Sequence, residues 1–391
     1  MTVARWVQVG NDIDGESPND RSGWSVALSS NGAILAVGAT RNDGGGGIDS
    51  GHVRVYINTG GGWTRLGGDL DGAAPGDLFG WAVALSGDGM TLAVGARLHN
   101  GVEGTDSGEA SVYGWNGSVW EARGSSIEGQ AGGDEFGVSI ALSDDGTVLA
   151  VGAPGNDVGG SDAGHVRVFG WNGTDWSQMG NNLEGSSAGD RFGDAITLSS
   201  DGLTLACNAD RWGTGSGGYV RAYHWSGETW IPRGSTLVGF LSGDQYGVSV
   251  SLSGDGMVLA IGASRDSFCE VYGYDGTDWF QIGQSIRFSD GSDLDLFGHA
   301  VALSFAGDTV VIGAPFDDSN GTKSGIAQVY RLTSNREQWV RVGQDLVGES
   351  SFDQIGVAVS ISDTGNRIAV GANFEDGNGS NAGHVRVFNL E

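Results

Sequence analysis

The chain has 391 residues, 73 of them Gly, and carries a formal net charge of −28 with a pI near 4.3. So acidic a surface argues against nucleic acid and anionic membrane as partners, since both recruit basic faces. No stretch approaches the roughly 20 apolar residues of a membrane-spanning helix, so no membrane insertion is expected.

The first ten residues, "MTVARWVQVG", contain no signal-peptide core. Residues 6–10 alternate like an outer strand, yet no inner strands precede them. Because Trp6 already belongs to a repeat, the chain is expected to be a mature or excised part of a longer protein.

From there one pattern is written seven times: an Asp, a Gly three positions later, an apolar run, a short turn, a second apolar run, a Gly/Asp-rich loop, a third strand and a Trp. The Gly recurs at Gly23, Gly80, Gly137, Gly193, Gly247, Gly298 and Gly356, and the Trp at Trp6, Trp63, Trp120, Trp176, Trp230, Trp279 and Trp339. Units of about 50–60 residues with roughly four strand patterns each are propeller blades, because one such unit buries its faces only against neighbours. Length alone suggests two or three domains. The repeat fills residues 1–391, so one seven-bladed, all-β propeller of four-stranded antiparallel blades is expected.

The third repeat shows the elements best. Val138, Ile140 and Leu142 alternate with small residues as an inner strand, and "SDDG" turns the chain. Leu149 and Val151 then alternate with Ala150 and Gly152, which gives a bulky face and a small face for nesting against the next blade. Val166 and Val168 mark the third strand, "WNGT" a hairpin turn, and Trp176 the fourth strand, whose Trp is expected to cover the blade's outer edge. In the fourth repeat Cys207 replaces the Val of the second strand, and in the fifth Cys269 opens the third strand after a loop shortened to "SRDSF". Two cysteines make no disulfide framework and are expected to be small buried thiols. The last repeat stops at "GHVRVFNLE", before any Trp. Residues 6–10 are therefore expected to pair beside residues 385–388 and close the ring.

Three sets of residues are candidates for function. The repeat Asp (Asp20, Asp77, Asp134, Asp190, Asp244, Asp295, Asp353) suits an Asx-type turn better than a cation ring, since sevenfold uniformity marks scaffold. The position after the repeat Gly varies instead: Trp24, Trp81, Val138, Asp194, Val248, His299, Val357. It sits where the inner strands begin, near the channel mouth, and two adjacent Trp there can stack on a sugar or grip an apolar side chain. Acidic loops between second and third strands share that face, with Trp212 as the best single surface anchor. His52, His165 and His384 all open third strands, and that repetition marks them as scaffold. "GTGSGG" at Gly213, Gly215 and Gly218 lacks the strand-to-helix turn of a dinucleotide site. Asn-Gly-Ser/Thr sequons stand at Asn116, Asn172, Asn320 and Asn378, two of them in hairpin turns.

Phe136-Gly137 with Gly152-Ala153-Pro154, and Phe297-Gly298 with Gly313-Ala314-Pro315, resemble the FG-GAP repeats of integrin α-subunit propellers and related secreted and surface proteins. Ser22-Gly23, Tyr246-Gly247 and Ile355-Gly356 are looser copies. The resemblance covers the whole chain. It implies an extracellular or cell-surface binding and adhesion module without catalysis or cofactor, engaging a protein or glycan as part of a larger chain or surface assembly. Its site would be the loop face around Trp24, Trp81, Asp194, Trp212 and His299. The alternatives are a polysaccharide-acting enzyme using mouth carboxylates such as Asp194 beside His299, and a structural spacer. Integrin-type repeats carry calcium loops between the first two strands. Here those turns are short, as in Asp144-Asp145-Gly146, and too poor in oxygens for calcium's six to eight ligands. The weaker metal candidates are Asn156, Asp157 and Asp162 in a longer loop.

Overall fold

The computed structural model describes residues 4–209, 217–239, 243, 245–288 and 295–391. Trp212 and Asp244 therefore lie outside the described residues. The strands form seven sheets, each an antiparallel run of four whose fourth strand is split in two. In the third blade these are Ser139–Leu142, Val148–Ala153, His165–Trp171, and the pair Trp176–Gln178 and Leu183–Glu184. The inner strands touch in sequence around the axis, and the seventh returns to the first. The only helical element among the described residues is the 3-10 turn Ser264–Asp266, into which the shortened fifth loop folds. None of the described helices is long and apolar enough to cross a membrane.

The last blade closes as its split repeat implies. Ala358–Ile361, Arg367–Ala372 and His384–Leu390 are completed by the N-terminal strands Trp6–Gln8 and Ile13–Asp14. Trp6 lies opposite Leu390 and Ile13 opposite Val385, so the seam runs the full length of the third strand and beyond the expected residues 385–388.

Close packing of glycine on glycine explains the repeat motif physically. A Cβ on Gly152 would stand 1.9 Å from the carbonyl oxygen of Gly193, the repeat Gly of the next blade, and the same clash recurs at Gly95 on Gly137 and Gly313 on Gly356 at 2.0 Å. The two halves of the motif are thus the two sides of a blade interface. The aromatic before the repeat Gly is buried, and Phe136 meets Phe169 edge to face. Leu149 and Val151 nest against Ala93 and Ala110 of the preceding blade, while Ala150 receives the following one. In the fourth blade Asn208 stands where the other blades have this Gly, and its amide oxygen takes the Ala195 N–H at 2.7 Å.

The repeat Trp does more than cover an edge. Each indole N–H donates to a main-chain oxygen of the preceding blade: Trp6 to Val342, Trp63 to Val9, Trp120 to Leu66, Trp176 to Arg123, Trp230 to Met179, Trp279 to Arg233 and Trp339 to Ile282, all at 2.7–3.1 Å. Except for Trp63 these indoles are buried, so they act as clasps between blades and not as lids on them. At the far end of the channel the first turns of the blades join in a closed ring. The amides of Ser30, Gly87, Asp144, Ser200, Gly254, Phe305 and Asp363 each donate to the next carbonyl, and Asp363 returns to Ser30, at 2.8–3.1 Å. Both cysteines are free and buried, in different core clusters, and burial pushes both thiols up.

Candidate binding site at the channel mouth

One turn builds the mouth in every blade. The residue two before the repeat Gly is left-handed (Arg21, Leu78, Glu135, Arg191, Gln245, Leu296, Gln354, with φ from 51° to 59°). Its carbonyl accepts the N–H three residues on, which fixes Trp24, Trp81, Val138, Asp194, Val248, His299 and Val357 at the top of the inner strands. The inner strands of the first, second and seventh blades are half-exposed along most of their length, as walls of a wet channel.

Two predicted site residues come together. The rings of Trp24 and Trp81 lie 4.5 Å apart between centroids and are tilted by 47°. The Arg97 guanidinium lies 4.0 Å over Trp81, a cation–π contact that steadies the indole. From Arg97 a chain of ion pairs runs around the mouth: Glu135 at 3.8 Å, then Arg191 at 3.3 Å from Glu135, then Asp194 at 3.5 Å from Arg191. Asp194 is enclosed by the channel wall, though 27% of its side chain still meets solvent. Burial raises its pKa, opposed by Arg191. Burial alone lowers that of His299, whose ring has no hydrogen-bond partner among the described residues. No hydrogen bond or ion pair joins Asp194 to His299, and the blade carrying Val248 stands between them.

Sequence reasoning missed the arginines. Arg21 lies 4.6 Å over the Phe374 ring, and burial followed by the nearby Arg41 pushes its pKa down. Arg41 itself reaches Asp49 at 3.9 Å. One guanidinium thus lies on Trp81 and two more stand near each other on the turn and loop of the blade that carries Trp24, on a chain whose net charge is strongly negative. Their signal in the sequence was an Arg at three unequal repeat positions, which periodicity does not flag.

The repeat Asp is structural wherever its bonds are described. Asp20 accepts the Ser17 N–H at 2.9 Å, Asp134 those of Gln130 and Ala131 at 2.9 and 3.0 Å, Asp190 that of Ser186 at 2.9 Å and Asp353 that of Ser350 at 2.7 Å. Of the weak metal candidates, Asn156 and one Asp157 oxygen are engaged in the same way. Asn156 is buried, with its amide nitrogen on Asp134 and its oxygen on the Val158 N–H, and Asp157 caps the N–H of left-handed Asp162. The same cap recurs at Asp43, Asn100, Asp318 and Asp376. Of the sequons, Asn116 and Asn172 close hairpin turns through their amide oxygens, whereas the Asn320 and Asn378 nitrogens bond to Gly348 and Gly15 carbonyls.

The FG-GAP repeat family profile matches residues 70–113, 128–169 and 280–330. The chain carries FG-GAP repeats. No protein of curated function matches it. Among solved structures, the chain is similar to a candidate 6-phosphogluconolactonase from Bacteroides uniformis, at 13% identity and a TM-score of 0.60 over 84% of this chain and 86% of that one. It is also similar to the hydrazine synthase of Kuenenia stuttgartiensis, at 14% identity and a TM-score of 0.58 over 93% and 94%. At such identities the likeness is one of fold alone.

Proposed function

We propose that the chain is a single propeller that serves as a non-enzymatic binding module of the cell surface or extracellular space, and that its mouth takes an acidic glycan. The observation that carries this reading is the Trp24–Trp81 pair with Arg97 lying over Trp81, and with Arg21, near Arg41, on the turn that leads into Trp24. Indole faces stack on the C–H faces of sugars, and guanidinium forks bind carboxylate or sulfate oxygens. FG-GAP propellers as a class support a binding role. Against an acid–base pair at Asp194 and His299 stands the engagement of Asp194 with Arg191.

Titration calorimetry with acidic and matched neutral oligosaccharides tests the reading. Acidic chains should bind more tightly, and Trp24→Ala or Trp81→Ala should each cost about tenfold in affinity. Equal binding by wild type and both variants removes the site. Capture of a protein ligand through the same two indoles, with no oligosaccharide bound, replaces glycan by protein as the partner. Release of reducing ends during incubation overturns the non-enzymatic reading.

A further inference from the structure

The second blade departs from its siblings where the third strand meets the split fourth. In the first, third and seventh blades a His opens the third strand opposite a carboxylate: His52 faces Asp71, His165 faces Glu184 and His384 faces Asp14. In the second blade Glu109 stands there, directly opposite Glu128. Like charges in that register repel. Two residues further on, the siblings carry Arg54, Arg167 and Arg386, and Arg54 ties Asp69 and Glu16 together. The second blade has Ser111 at that position, and no Arg or Lys among the described residues pairs with Glu109 or Glu128. Arg167 of the next blade donates to the main-chain oxygen of Glu128 at 3.0 Å, not to its carboxylate.

A histidine approaches this pair from the loop. His99 occupies the position of Asn42 and Asn156, and its Nε2 lies 3.6 Å from Glu109 Oε2. Its Nδ1 is 3.1 Å from Asp77 Oδ2. The carboxylate only accepts, so Nδ1 donates to Asp77 and Nε2 is the nitrogen turned to the two glutamates, where a metal ion would take the place of a proton. Asp77 is only 1% exposed, and its second oxygen has no hydrogen-bond partner. One donor atom each from His99, Glu109 and Glu128 lie within 4.8 Å of one another. Ser111 donates to Glu109 Oε1 at 2.7 Å and the Val102 N–H to Glu128 Oε2 at 3.0 Å, which holds both carboxylates in place.

We infer that His99, Glu109 and Glu128 form a site for a divalent transition-metal ion of the zinc type, with Asp77 orienting the histidine. An imidazole with two carboxylates is a borderline donor set that suits zinc over calcium or magnesium, which prefer oxygen alone. The carboxylate behind the ligating His is the arrangement that fixes tautomer and ring direction in such centres. A bound ion also removes the repulsion that Glu109 and Glu128 otherwise carry. The three atoms stand a little wider than a sphere of about 2.0–2.2 Å radius requires, and the glutamate torsions close that difference. The ion leaves one position open to water, since the three ligands are each partly exposed.

Two variants borrowed from sibling blades keep the test independent of folding. His99→Asn recreates the Asn-to-Asp bond seen from Asn42 to Asp20, at 3.0 Å. Ser111→Arg supplies the guanidinium that fills this place in the first blade. Chelator-treated protein titrated with Zn²⁺ should bind one equivalent tightly, and Co²⁺ should give the visible absorption bands of a four-coordinate centre. Both variants should fold, by circular dichroism, and lower zinc affinity by more than about 100-fold, beyond what loss of an outer partner costs. Zinc binding unchanged in both variants overturns the site. Ca²⁺ or Mg²⁺ competing at equal concentration overturns the choice of metal.

Discussion

Replacing Trp6 by Ala tests the reasoning about closure. Trp6 is the fourth-strand clasp of a blade whose other strands lie more than 350 residues away in sequence, so its contacts join the two ends of the ring. It is 2% exposed, its indole N–H donates to Val342 O at 2.9 Å, its backbone N–H and carbonyl bond Gln344 at 3.0 and 2.6 Å, and its ring covers Gly343. Removing a buried Trp side chain costs about 3–5 kcal/mol. With an unfolding entropy of about 2.1 cal/mol/K per residue, a cooperative chain of this length loses roughly 4–6 °C in Tm.

Trp6→Phe keeps the ring and leaves the Val342 carbonyl unpaired, an expected cost of about 1–2 kcal/mol and a correspondingly smaller shift. Trp176→Ala is the internal control, because Trp176 makes the same bond, to Arg123 at 2.8 Å, and is buried too, but joins the second and third blades, away from the seam. Calorimetry gives the Tm values, and hydrogen exchange of the His384–Leu390 strand reports whether the loss is local to the seam. A Tm for Trp6→Ala equal to wild type, or no faster exchange in that strand than in Trp176→Ala, refutes the closure argument.

Gly152→Ala places a methyl 1.9 Å from a backbone oxygen and should cost at least about 1–3 kcal/mol, whereas Gly61→Ala, with open space around it, should be close to neutral in denaturant melts. Burial lowers the His165 pKa to about 4, and neither ring nitrogen has a hydrogen-bond partner, so the unfolded chain binds the proton more readily. The stability due to this neutral histidine is complete above about pH 6.5 and falls as pH drops toward 4, by up to about 3 kcal/mol. His165→Phe, after Phe268 at the equivalent position, should flatten that part of the stability–pH profile, and an unchanged slope would refute the assignment. Cys207 and Cys269 should resist thiol reagents in the native protein and both react in denaturant, counted by mass; rapid native labelling would contradict their burial.

Much of the fold was legible because its causes are local or repeated. Alternation in Leu149–Val151 strands, the Asn-Gly hairpins and the Gly pairs all recur in register, and a chain that ends before its last Trp points to the Trp at its start. The direction of the clasp was not legible. A recurring Trp marks a position, but whether the indole faces solvent or the preceding blade depends on how sheets stack. The site divides the same way. Trp24 and Trp81 occupy one register in neighbouring blades, so their meeting followed from the repeat. Arg97, Glu135 and Arg191 reach the mouth from a loop and two left-handed turns, and only the closed ring brings them together. Glu109 and Glu128 went unnoticed, although the loss of the "HVR" run at Glu109-Ala110-Ser111 was a visible signal.

Pseudo-symmetry supplies the standard against which such departures gain meaning. A feature present in every blade is explained by what every blade must do: pack, turn and close. The Trp clasps meet that description, as does the repeat Asp wherever its bonds are described, and the capped loop recurs in five blades; such uniformity removes them as sources of specificity. Departures that the ring does not require include those of the first two blades, where Trp24 and Trp81 replace valine, Arg21 and Arg41 approach each other, and the second blade exchanges a His–carboxylate pair for two glutamates. Each departure carries a cost that symmetry would avoid, namely a half-exposed indole, neighbouring guanidinium groups or facing carboxylates. Ligands at these places would offset those costs: an acidic sugar between the indoles and arginines, and a cation between Glu109 and Glu128. The loop bearing His99 also carries Arg97, which lies on Trp81. Occupation of the metal site would therefore stiffen one wall of the mouth, and zinc should tighten glycan binding in wild type but not in His99→Asn. Equal glycan affinity with and without zinc would show the two sites to be independent.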